Sequence, residues 1–197
     1  LSGARKCRSL FVCPTASGKS LIIYGLTRWC HYKNLKTLII VPTTSLVEQM
    51  YSDFLDYGWL ESYMQKIYQG HDKKVTKDVV ISTWQSLYKF PKKYFEQFGC
   101  VIGDEAHTFK SKSLTSIMNK LHLCKYRFGL TGTLDDLQTH KLVLEGVFGT
   151  VNKVISTKEL MEKKTLSNLK IDSLILGYGD NECKIVKDLK YADEIDY

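Results

Sequence analysis

The chain has 197 residues, a formal net charge of +7, 44% hydrophobic and 25% charged residues. That is room for one domain with a sizeable core, in the composition of a soluble globular protein rather than a disordered or fibrous one. The basic balance favours a polyanionic partner such as nucleic acid, or else only aids solubility. No apolar run approaches the roughly 20 residues of a membrane span, and no signal peptide is visible, so a cytoplasmic protein with no membrane partner is expected.

In chain order, "SLFVC" (9–13) reads as a short buried strand. A loop follows, and then "SLIIYGLTRWCHY" (20–32), long enough for a helix. "TLIIVP" (37–42), rich in β-branched residues, is a second strand. In "TTSLVEQMYSDFLDYG" the apolar positions Leu46, Met50 and Phe54 recur every four residues, as do Val47, Tyr51 and Leu55. That spacing predicts a helix, with Gly58 as its stop. "DVVIS" (78–82), "CVIGD" (100–104) and "YRFGL" (126–130) read as strands, and "SLTSIMNKL" (113–121) as a helix. This alternation predicts a mostly parallel sheet with helices on both faces, which binds ligands at the carboxyl ends of its strands. From about residue 151 the pattern changes to a helix and then a strand, read as a connector out of the domain at 1–150.

The six cysteines, at 7, 13, 30, 100, 124 and 183, contain no C-x-x-C pair, which argues against a zinc site. Cys13, Cys30, Cys100 and Cys124 lie in or beside apolar runs and read as small buried hydrophobes, as expected in a reducing compartment.

Three stretches carry chemistry, each just after a predicted strand. "CPTASGKS" (13–20) sits between strand and helix. The helix N-terminus supplies inward N–H donors and a favourable dipole for phosphate. Gly18 lets the backbone turn closely, Lys19 reaches the β/γ-phosphates, and the Ser20 hydroxyl ligates Mg²⁺. Against this, the usual pattern opens with glycine where Cys13 stands, and a strand-turn-helix can contain G-K-S by chance. In "VIGDEAH" (101–107), Asp104 is placed to hold Mg²⁺ and Glu105 to act as general base for an attacking water. The plainer alternative is an exposed acidic turn. In "GLTGTL" (129–134), Thr131 and Thr133 offer hydroxyls to His107 and can link a nucleotide to another ligand, unless this is a simple Thr-Gly turn.

Together these stretches resemble the first motor domain of superfamily 2 helicases. "CPTASGKS", "VPTTSLVEQM", "ISTWQSL", "DEAH" and "LTGT" resemble motifs I, Ia, Ib, II and III, in that order, over about residues 5–135. Further stretches, including "STWQSLYKFPKKYFEQFG", "KYRFGLTGTLDD" and "STKELMEKKTLSNLKIDSLIL", resemble phage recombination helicases. The first loop position in that family is often not glycine, which removes the objection at Cys13. The resemblance implies a RecA-like three-layer α/β/α domain that binds and hydrolyses ATP with Mg²⁺ and drives a helicase or translocase on branched DNA. It implies that Thr15, Ala16, Ser17, Gly18, Lys19 and Ser20 cradle the nucleotide, that Ser20 and Asp104 hold the cation, and that Glu105 activates water. His107, Thr131 and Thr133 would couple nucleotide to nucleic acid. The alternatives are the motor subunit of a restriction enzyme and a non-catalytic nucleic-acid-binding scaffold. Intact Lys19, Asp104 and Glu105 argue against the scaffold.

The resemblance also places a phosphate backbone against Pro42, Thr43 and Thr44, and against Thr83, Gln85 and Ser86. Neutral hydroxyls and amides of this kind fix register on a strand without reading its sequence. Trp84 reads as core before base-stacking platform. Lys73, Lys74, Lys77, Lys89, Lys92 and Lys93 suit phosphate attraction or simply form a solvated surface. A chain beginning at Leu1 and ending in "KYADEIDY" is expected to be a piece of something longer. A second motor domain of the same protein would supply an arginine finger, so residues 1–197 alone are expected to hydrolyse ATP poorly.

Overall fold

A computed structural model describes residues 7–14, 17–68, 73–108, 111–132 and 138–162. The β-branched runs become a seven-stranded sheet: β1 (Cys7–Val12), β2 (Lys36–Val41), β3 (Met64–Ile67), β4 (Val79–Thr83), β5 (Phe98–Gly103), β6 (Tyr126–Thr131) and β7 (Val151–Lys153). Its order is β3-β4-β2-β5-β6-β1-β7, and every neighbouring pair is parallel. Helices α1 (Lys19–Tyr32), α2 (Thr44–Asp56), α3 (Trp84–Leu87), α4 (Lys92–Phe95), α5 (Ser111–Lys120), α6 (Gln138–Phe148) and α7 (Thr157–Glu162), with short 3-10 turns at Glu61–Tyr63 and Ala106–Thr108, complete the described elements.

Parallel strands buried on both faces need apolar residues at successive positions, and alternate side chains serve opposite layers. Leu38, Ile40, Val80 and Val101 pack with Leu87, Phe95, Ile117, Met118, Leu144 and Phe148 from α3 to α6. Ile39, Val41, Val79, Ile81, Cys100 and Ile102 pack with Ile23, Tyr24, Cys30, Val47, Met50 and Phe54 from α1 and α2. The result is the expected three-layer α/β/α arrangement. Cys13, Cys30, Cys100 and Cys124 are all fully buried, and the five cysteines among the described residues are free.

Helix α2 stops where the sequence placed its end. Gly58 adopts a left-handed φ of 84°, its N–H donates to the Leu55 carbonyl at 2.9 Å, and the Trp59 N–H donates to the Phe54 carbonyl at 2.8 Å. This is a glycine-terminated helix end whose last carbonyls are satisfied. The sheet extends past residue 150, because Val151–Lys153 pairs with Leu10–Val12 of β1. The helical part of the connector appears as α7, while its strand and the rest of 163–197 lie outside the described residues.

Candidate functional site

Strands β5, β6 and β1 are neighbours in the sheet, so their carboxyl ends set three loops side by side. From β1, Cys13 continues the ladder by donating its N–H to the Thr131 carbonyl at 2.8 Å, and burial pushes its thiol up. Cys13 is thus the last buried residue of the strand arm. Ser17 closes the next turn with its N–H on the Pro14 carbonyl at 3.1 Å. Gly18 then caps α1 with φ 79°, and a Cβ there would meet nothing within 4 Å. The glycine answers a backbone requirement rather than a packing one. Thr15 and Ala16 lie outside the described residues.

From β5, the Asp104 N–H donates to the Ile40 carbonyl at 2.9 Å, which fixes the turn to the sheet. Asp104 is 6% exposed, and its carboxyl is pushed up to about 6, by burial first and by the neighbouring Glu105 charge second, against a pull downward from Lys19. Its Oδ1 accepts the Glu105 N–H at 3.0 Å. Glu105 sits at a left-handed φ of 48°, a conformation that costs a non-glycine residue on the order of 1 kcal/mol and that clusters at functional sites. The strained turn aims its carboxylate back across the sheet edge. There Glu105 Oε1 accepts a hydrogen bond from Lys19 Nζ, and its Oε2 lies 3.4 Å from His107 Nδ1.

From β6, Thr131 Oγ1 lies 2.7 Å from His107 Nδ1, which links the β5 and β6 loops through side chains. Gly132 follows, and a Cβ at that position would lie 3.3 Å from Lys19 Nζ, a contact tighter than most. Thr133 lies outside the described residues.

A cleft of about 340 Å³ opens at this junction, lined by Gly18, Lys19, Ser20, Leu46, Gln49, Met50, Asp53, Asp104 and Glu105. The volume falls within the range of small-ligand sites. The sequence located the residues from β1 and β5. It missed the wall from α2, Leu46, Gln49, Met50 and Asp53, whose spacing of three and four is also the spacing of a core-facing stripe. The Ser20 hydroxyl lies 3.0 Å from the Tyr57 hydroxyl, a second α2-side contact that no motif announced.

The expected nucleic-acid contacts lie on adjoining strand ends, since Val41 of β2 is in register with Thr83 of β4. Gln85 Nε2 donates to the Pro42 carbonyl at 3.2 Å and ties the two loops together. Thr43 caps α2 by accepting the Leu46 N–H, and Thr44, like Gln85, is exposed. Thr83 is 3% exposed with its hydroxyl 3.0 Å from that of Ser86, so it braces the turn from below rather than presenting a hydroxyl to solvent. Trp84 is partly buried against the α3–α6 side of the core, as its position at a strand-helix junction suggested.

Among the described residues no three His, Cys, Asp or Glu side chains converge as a metal cage. Ser20 and Asp104 set a hydroxyl and a carboxylate on the lining of one cleft. No helix among the described residues is long and apolar enough to cross a membrane.

Four likenesses accompany this geometry. The family model described as type III restriction enzyme, res subunit, matches residues 3–136. The ATP-dependent DNA helicase UvsW of Enterobacteria phage T4 is 40% identical over 195 residues, covering 95% of this chain and 39% of the helicase. A crystal structure of that UvsW superposes with a TM-score of 0.67 at 40% identity, over 74% of this chain and 54% of that one. The helicase domain of Hef from Pyrococcus furiosus shares the fold at 18% identity and a TM-score of 0.61, over 77% of this chain and 35% of that one.

Proposed function

This chain belongs to the type III restriction enzyme res-subunit family, as a first RecA-like motor domain of the superfamily 2 helicase kind, and we propose that it is the ATP-binding half of a DNA translocase or helicase acting on branched DNA. The observation that carries the reading is the convergence of Lys19, Ser20, Asp104 and Glu105 on one cleft at the N-terminus of a 14-residue helix. A triphosphate finds backbone donors and a helix dipole there, with a fixed ammonium beside them.

Lys19 is held by Glu105 before any phosphate arrives. A γ-phosphate that attracts the Lys19 ammonium therefore competes directly with the Glu105 carboxylate. Binding transfers the ammonium to phosphate and leaves Glu105 available to accept a proton from water. A divalent cation held by Ser20 and Asp104 would neutralise phosphate charge as it develops. The nearness of His107 to both Glu105 and Thr131 offers a path from the nucleotide toward the strand ends where nucleic acid would lie. Thr133 is assigned the companion role in that coupling. Pro42, Thr43, Thr44, Gln85 and Ser86 would track a phosphate backbone, with Thr83 holding their turn in place. Exchange of ATP for its products would then open and close this domain against a second motor domain and advance the protein along DNA.

The chain spans 39% of the length of UvsW, so the second domain, the branched substrate and the turnover of the whole protein belong to this proposal. The test is ATP hydrolysis by the full-length protein with branched, duplex and single-stranded DNA. Stimulation strongest with branched DNA supports the reading. No stimulation by any DNA contradicts it. The family description favours a second reading, a restriction motor that pumps DNA toward a nuclease. That reading predicts stimulation by plain duplex equal to that by branched DNA, with DNA cleavage by a nuclease partner.

A further inference from the structure

We propose that Tyr57 is a positioning residue for the cation-binding hydroxyl of Ser20, supplied by the far end of α2; the inference rests on the nucleotide-site reading. The Tyr57 hydroxyl lies 3.0 Å from Ser20 Oγ. Its ring is held in place by α1. The Tyr24 hydroxyl donates to the Tyr57 carbonyl at 2.7 Å, and the two rings meet edge to face at 5.3 Å and 70°. The Tyr57 N–H donates to the Asp53 carbonyl at 2.9 Å, which seats the residue on the last turn of α2. Ser20 and Tyr24 are four residues apart on α1 and face the same way. Tyr57 therefore spans about one turn of α1, ring on Tyr24 and hydroxyl on Ser20.

A serine hydroxyl has one proton and two lone pairs. When a lone pair faces a cation, the proton must point elsewhere, and the cation makes it a stronger donor. The Tyr57 oxygen is placed to accept that proton. The hydrogen bond fixes the Ser20 rotamer with its lone pairs turned into the cleft that Asp104 also lines. The phenol touches neither phosphate nor cation in this role. It acts through Ser20.

The experiment is binding of a fluorescent ADP to the full-length protein, titrated with Mg²⁺ and repeated in EDTA, for the parent, Tyr57→Phe, Ser20→Ala and the double variant. Tyr57→Phe keeps the ring on Tyr24 and removes only the hydroxyl. A hydrogen bond of this kind predicts a rise of roughly three- to tenfold in the Mg²⁺ concentration at half-saturation, with affinity in EDTA unchanged. In the Ser20→Ala background Tyr57→Phe should have no further effect, because the two substitutions break the same contact. An unchanged or lowered Mg²⁺ midpoint in Tyr57→Phe overturns the proposal. So does an equal effect in the presence and absence of Ser20. A parent protein that binds the nucleotide without Mg²⁺ dependence, or not at all, overturns the nucleotide-site reading and this inference with it, and that result is distinct from a parent that binds normally beside an unaffected variant.

Discussion

Lys19 and Glu105 form an ion pair that joins the first turn of α1 to the turn after β5, with side chains 15% and 25% exposed. Each is therefore the other's partner in this structure. The pair joins the strained Glu105 turn, the glycine-capped start of α1 and the narrow space beneath Gly132 in one contact. Removing either residue leaves a partly buried charge facing the other's empty place.

Lys19→Ala removes the ammonium and leaves Glu105 beside Asp104 without it. Loss of a charge-assisted contact to phosphate predicts nucleotide affinity about ten- to a hundredfold weaker. Titration of a fluorescent ATP analogue checks this, with circular dichroism to confirm the fold. Affinity within twofold of the parent would mean that phosphate does not bind at Lys19.

Asp104 carries a pH signature. Its carboxyl is raised from 3.8 to about 6 in the folded protein, so between those values the native state holds a proton that the unfolded chain has lost. Its contribution to stability is therefore full at the acid end and falls as pH rises toward 6. Above 6 the charge stays buried in the cation-free protein. Asp104→Asn keeps the oxygen that accepts the Glu105 N–H and removes the charge. The variant should gain more stability over the parent at pH 8 than at pH 4.5, measured by urea unfolding in EDTA. A proton competes with a cation for the same carboxylate, so Mg²⁺-dependent nucleotide binding by the parent should also weaken below pH about 6.

Two glycines separate packing from propensity. A Cβ at Gly129 would lie 2.8 Å from Leu10 Cδ1 and 2.9 Å from two ring carbons of the fully buried Phe148. Gly129→Ala should destabilise by about 1–3 kcal/mol as α6 is forced off β6. Gly25, inside α1, has nothing within 4 Å of its Cβ position. Gly25→Ala should stabilise by about 0.5–1 kcal/mol. Chemical denaturation of both variants reads the two signs directly.

The parts of this site that were visible in the sequence are those fixed by a strand end. Gly18, Lys19, Asp104 and Thr131 each follow an apolar run short enough to be nothing but a buried strand. The α2 wall was not visible, because Leu46, Met50 and Phe54 recur with helical spacing whichever way they face. The buried stripe is in fact Val47, Met50 and Phe54, with Leu46 half-buried in the cleft and Leu55 40% exposed. The strands β3 and β7 escaped for a different reason. Both are sheet edges, one reading "MQKI" and the other "VNK", and three or four residues are too few to show a strand period. Tyr57 carried no signal either, since a tyrosine before a helix-ending glycine is ordinary until the fold lays it against Ser20.

The most direct test of Glu105 as the base at a nucleotide site is Glu105→Gln in the full-length protein, assayed for nucleotide binding and for ATP turnover with branched DNA. Glutamine preserves the side chain's length and removes its ability to take a proton. Nucleotide affinity should stay within about threefold of the parent while turnover falls by roughly a hundredfold or more. Turnover within a few-fold of the parent would show that Glu105 is not the base, and that the ion pair with Lys19 is only a structural contact.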